Sequence, residues 1–115
     1  MTLNPNYNIF QILSLPEKTE GEYFETIIKS PNILIERIIS NGQITPAGEW
    51  YDQEKDEWVI LLQGEAILSY EDGTTINLKS GDYLLIPHHV KHRVIYTSDR
   101  PPCIWLAIHF IPMDN

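Results

Sequence analysis

An imidazole and a carboxylate stand at the ends of two short apolar runs in this chain. His92 ends the stretch Gly81-Asp-Tyr-Leu-Leu-Ile-Pro87-His-His-Val-Lys-His92, five residues beyond the proline that stops a strand-like run. Glu57 opens Glu57-Trp-Val-Ile-Leu-Leu62 and lies seven residues before Gly64. Strand alternation puts Glu57 on one face with Val59 and Leu61, so its carboxylate points inward. An inward carboxylate is costly unless it is paired, coordinated or protonated. Arg37 or Arg93 could pair with it. Otherwise Glu57 and His92 would face one cavity able to hold a metal ion or a polar small molecule. Trp50, Tyr51, Tyr83 and Tyr96 are candidate ligand-binding walls, since aromatic side chains combine large apolar area with polar tips. His88 is expected at the surface and His109 in the core. Cys103 has no His and Asn pattern to make it a nucleophile. The chain has no glycine-rich phosphate loop, Ser-centred elbow or CxxC pair.

The elements that would position these groups are strands. Runs rich in Ile, Leu, Val, Thr and aromatics cover Tyr23–Ser30, Ile33–Ser40, Glu57–Leu62, Ala66–Tyr70, Thr74–Leu78, Tyr83–Ile86, His92–Thr97 and Ile104–Ile111. Turn chemistry separates them: Pro31-Asn32, Gln63-Gly64, Glu71-Asp72-Gly73, Lys79-Ser80-Gly81-Asp82 and Asp99-Arg-Pro-Pro102. Short strands at regular spacing, with no long helical period, predict an all-β sandwich or barrel. Residues 1–22 are polar and turn-rich and read as an irregular N-terminal segment, with one helical turn expected near Ile9–Leu15. Residues 23–115 read as one barrel domain. Several runs are apolar on both faces: Trp58, Ile60 and Leu62 oppose the face that carries Glu57. A strand with one wet face would alternate apolar with polar. Either the N-terminal segment or a second copy of the chain covers that outer face, and a homodimer is expected.

The 115 residues fit one domain. The formal net charge is −8, and only 8 Lys and Arg are scattered along the chain, which argues against nucleic acid and anionic membrane surfaces as partners. No apolar run approaches the roughly 20 residues that span a bilayer. The N-terminus shows no basic stretch leading into an apolar one, so no signal peptide is expected. One cysteine cannot form an intramolecular disulfide framework, and the chain reads as a reduced cytoplasmic protein.

These residues resemble the cupin family, whose fold is the double-stranded β-helix or jelly-roll barrel. The family's second motif places Gly, five residues, Pro, any residue, Gly, two residues, His, three residues and Asn. Gly81, Pro87 and His92 fall in register; His89 stands at the second glycine and Tyr96 at the asparagine. Glu57 and Gly64 match the end of the first motif. Its two histidine positions hold Trp50 and Asp52 under one spacing, or Tyr51 and Gln53 under the other. The resemblance covers roughly residues 33–111 and implies a divalent metal site of Glu57 and His92 with Asp52 or His89, Gln53 being an amide substitute. Manganese, iron, zinc or nickel are the implied candidates. The activity implied is a metal-dependent dioxygenase or isomerase acting on a small polar molecule. The alternative is a metal-free cupin that binds or senses a small ligand without catalysis; loss of both first-motif histidines favours it.

Overall fold

The computed structural model describes residues 7–112. The first six residues of the expected N-terminal segment, and the last three of the expected domain, lie outside that range. Eight strands follow one another: β1 (Tyr23–Lys29), β2 (Ile33–Ser40), β3 (Asp56–Gln63), β4 (Glu65–Tyr70), β5 (Thr75–Lys79), β6 (Tyr83–Ile86), β7 (His92–Thr97) and β8 (Cys103–Phe110). They form a five-stranded sheet ordered β1-β2-β8-β3-β6 and a three-stranded sheet ordered β5-β4-β7, all pairs antiparallel. The architecture is the all-β double-stranded β-helix.

The core lies between the sheets. Val59 and Leu61 of β3 meet Ala66 and Leu68 of β4, Val94 of β7, and Trp105 and Ala107 of β8. Alternation along β3 runs as its residues dictate: Glu57, Val59 and Leu61 are buried, and Trp58, Ile60 and Leu62 are half-buried on the outer face. Gly64 makes the β3–β4 turn with φ +97°, and a Cβ there would lie 2.8 Å from both Cys103 Sγ and Ser98 Oγ. Only glycine meets both demands.

The helical turn expected near Ile9–Leu15 is not formed; a single turn closes from Gln11 N to Asn8 O at 3.0 Å. The carbonyls of Ile9 and Gln11 accept instead from the Arg37 guanidinium, at 3.1 and 2.6 Å, which ties this stretch to β2. Further along, Pro16 O accepts from Asn41 Nδ2 and Glu17 O from Gln43 Nε2. The segment thus covers the β2 end of the outer face, while Trp58 and Ile60 on β3 and Leu106, Ile108 and Phe110 on β8 stay half-exposed.

Candidate functional site

Sheet register gathers the site at one end of the sandwich. Glu57, the second residue of β3, pairs directly with His109 near the end of β8. Glu36 on β2 pairs with Ala107, two residues from His109 and on the same face. His92 begins β7 on the opposite sheet. The loop between β2 and β3 is held to β7 by reciprocal backbone hydrogen bonds, Tyr51 N to His92 O at 2.8 Å and His92 N to Tyr51 O at 3.1 Å. That clamp lays the Tyr51 ring against the His92 ring, centroids 5.6 Å apart at 27°.

These groups wall a cavity of about 60 Å³ between the sheets, completed by Glu22, Gln53 and apolar side chains including Phe24 and Trp105. His92 Nδ1 lies 2.9 Å from Val90 O. A carbonyl only accepts, so Nδ1 carries the hydrogen, and Nε2 is the nitrogen free to take or give a proton. Nε2 faces Glu57 Oε1 at 3.8 Å, too far for a hydrogen bond. Glu57 and His92 are almost wholly buried. Burial pushes the Glu57 carboxyl above its ordinary range; the positive character of His109 and His92 and the Gln53 amide oppose the shift without cancelling it. Glu22 is raised for the same reason, although the Ser40 hydroxyl donates to it, and Trp105 Nε1 donates to Ser40 at 3.0 Å. His109 Nε2 lies 3.0 Å from Glu36 Oε1. Burial alone would lower the His109 pKa, but the Glu36 contact and the Glu57 charge outweigh it and raise it.

The residues singled out in the sequence separate into two groups. Glu57, His92, Tyr51 and Gln53 line the cavity. Asp52 and His89 do not: they contact each other at 2.9 Å on the surface, both exposed. His89 has φ +60°, so the residue at the family's glycine position adopts the left-handed conformation that glycine would take freely. Trp50 lies under the Arg93 guanidinium, 5.8 Å from ring centroid to Cζ. Tyr83 is exposed on the outer face beside Trp58, and Tyr96 borders a groove on the three-stranded sheet. His88 is at the surface on Asp56, as expected. Arg37 and Arg93 pair elsewhere; among the described residues Glu57 faces His92 at 3.8 Å and no Arg or Lys pairs with it. Glu36, Glu22 and His109 were not expected in the site. An acid inside the apolar run Ile33–Ser40 was the legible signal for Glu36, the same signal that marked Glu57. Glu22 precedes its strand and carried none. His109 needed the register of β8 against β3.

Among the described residues, no three His, Cys, Asp or Glu side chains are placed to hold one metal ion. Glu57 and His92 supply two donors, the third candidates Asp52 and His89 are absorbed by each other, and the cavity's other donors are committed as well, His109 to Glu36 and Glu22 to Ser40. The donor set therefore does not fit a resident metal of the implied kind. What the cavity offers is proton chemistry: a carboxyl raised by burial beside an imidazole with one free nitrogen.

A family model for the cupin domain matches residues 39–109. No curated protein matches the chain. Among solved structures, one from Ralstonia eutropha JMP134, described as a candidate mannose-6-phosphate isomerase, is 36% identical, with TM-score 0.84 over 95% of this chain and 100% of that one. A cupin superfamily protein from Desulfitobacterium hafniense DCB-2 superposes with TM-score 0.68 at 19% identity, over 85% of this chain and 84% of that one. A double-stranded β-helix cupin from Methanocaldococcus jannaschii gives 0.65 at 18%, over 91% and 94%. The last two speak to the fold alone. With the family model covering most of the barrel and both signature hairpins in place, this chain belongs to the cupin family.

Proposed function

We propose that this cupin isomerises a small hydroxy-carbonyl compound by proton transfer within the barrel cavity, without a resident metal. The observation that carries the reading is the buried pair of Glu57 and the free Nε2 of His92 on the cavity wall. His92 Nε2 takes the proton from the carbon that bears the hydroxyl next to the carbonyl. The C–H electrons form the enediol double bond as the carbonyl oxygen takes a proton from Glu57. Return of a proton to the former carbonyl carbon, with loss of one from the other oxygen, yields the isomer with no net oxidation. Tyr51 holds the imidazole plane, and the apolar wall limits water. The isomerase description of the Ralstonia eutropha structure supports this reaction class.

The test is exchange of substrate carbon-bound hydrogen with D₂O, followed by NMR on dihydroxyacetone and glyceraldehyde. The expected result is catalysed exchange that survives chelator, with losses of about 10²–10⁴-fold in His92→Gln and in Glu57→Gln. Undiminished exchange in both variants would sink the assignment. Exchange that tracks added manganese, iron, zinc or nickel would support the metal-dependent reading instead. Binding of such a compound with no exchange would leave a ligand-binding or sensor cupin.

We also propose that two copies pair through the half-exposed apolar face of the five-stranded sheet. Trp58, Ile60 and Ile108 on that face support this reading, being more apolar surface than a lone sheet normally leaves wet.

A further inference from the structure

The cavity carries a charge pattern that bears on its ligand. Three carboxyl groups, Glu22, Glu36 and Glu57, line it, and among the described residues its basic groups are His92 and His109, with no Lys or Arg. Glu36 is committed to His109. Outside lies a vestibule that shares Glu22, Phe24 and Tyr51 with the cavity and adds Glu20 and Lys18. Among the described residues Lys18 is the vestibule's one cation, and it is paired with Asp99. A phosphate is bound in proteins by guanidinium or ammonium groups or by rows of backbone N–H donors. Neither kind of cationic side chain reaches this cavity, and a dianion would enter against carboxylates in a poorly screened setting.

Size points the same way. The cavity, at about 60 Å³, has room for a small molecule of a few heavy atoms. A three-carbon hydroxy-carbonyl compound fills it. A hexose phosphate is larger and would extend into the vestibule, whose lining includes Glu20 and Glu22.

We propose that the cavity selects an uncharged hydroxy-carbonyl compound of about three carbons and rejects its phosphorylated counterpart, the lack of a lining Lys or Arg among the described residues and the Glu22 carboxyl shared with the vestibule being the selectivity filter. This rests on the isomerase reading for its ligand chemistry, but the selection stands or falls on binding and not on turnover. It also sets this chain apart from the phosphorylated substrate in the description of the Ralstonia eutropha structure.

The test is titration of the full chain with dihydroxyacetone, dihydroxyacetone phosphate, mannose and mannose 6-phosphate, followed by Trp fluorescence and NMR. The D₂O exchange assay is run in parallel. The expected result is saturable binding of dihydroxyacetone, with its phosphate at least tenfold weaker and mannose 6-phosphate not bound. Glu22→Gln should narrow the gap between the two three-carbon compounds, and its folding is checked by circular dichroism. Equal or tighter binding of either phosphate would overturn the selection, and so would failure of dihydroxyacetone to bind. Exchange of the phosphate alone would overturn the selection while keeping the proton-transfer reading. Selective binding without exchange would do the reverse.

Discussion

In the proposed reaction His92 and Glu57 act as a pair, and each is conditioned from outside the pair. Val90 O fixes the His92 tautomer, and Tyr51 fixes its plane. Burial raises Glu57, so its protonated form is favoured over a wider range than for an exposed glutamate. The same shifts govern stability. Glu57 and Glu22 have folded pKa values above the ordinary 4.5, so each stabilises the fold fully below that value and loses the contribution as pH rises through the folded one. His109, raised above 6.5, acts in the same direction at higher pH. Asp56 and Asp72, with lowered pKa, act below 3.8 and leave this window alone. The thermal unfolding midpoint should therefore fall as pH rises above 4.5, and again above 6.5, and fall less in Glu57→Gln. A scanning fluorimetry series on both proteins checks this, and parallel curves would show that Glu57 is not the titrating group.

The turns between the strands carry two sharp expectations. Gly64 combines a left-handed backbone with a Cβ direction blocked at 2.8 Å by Cys103 and Ser98. Gly64→Ala should cost about 2–4 kcal/mol, the sum of backbone strain and overpacking, read from urea denaturation. Gly81 has φ +95° but open space, so alanine there meets strain alone and should cost less. His89 adopts φ +60° with its ring on Asp52. His89→Gly should be neutral or stabilising by about 1 kcal/mol, relief of left-handed strain set against a weak exposed pair. It should also leave the cavity chemistry untouched, because neither His89 nor Asp52 lines the cavity. Loss of exchange activity in that variant would place this pair in the machinery after all.

For the molecule as a whole, the open question is what lies against the outer sheet face. The N-terminal segment reaches Arg37 and Asn41 but leaves the β3 and β8 outer residues half-exposed. Pairing of two copies there predicts a mass of about twice 13.3 kDa by light scattering. A charge in the middle of the face, Ile60→Asp, should shift the protein toward a monomer while circular dichroism keeps its β signature. A wild-type monomer at high concentration would remove the dimer. No helix among the described residues is long and apolar enough to cross a membrane.

The strand framework was readable from the chain because its causes are local. Alternation assigned Glu57, Val59 and Leu61 to the inner face, turn residues separated the strands, and two motif hairpins identified the family. The inward carboxylate and His92 were readable for the same reason. The rest of the site was not. Asp52 and His89 have the right chemistry for metal ligands, yet the left-handed turn at His89 joins them to each other and not to Glu57. Glu36 and His109 enter through the pairing of β2 and β3 with β8, the two standing 73 positions apart in the chain. Spacing along a chain states which face a side chain takes. Only the assembled sheets decide which faces meet, and so which charges share one cavity.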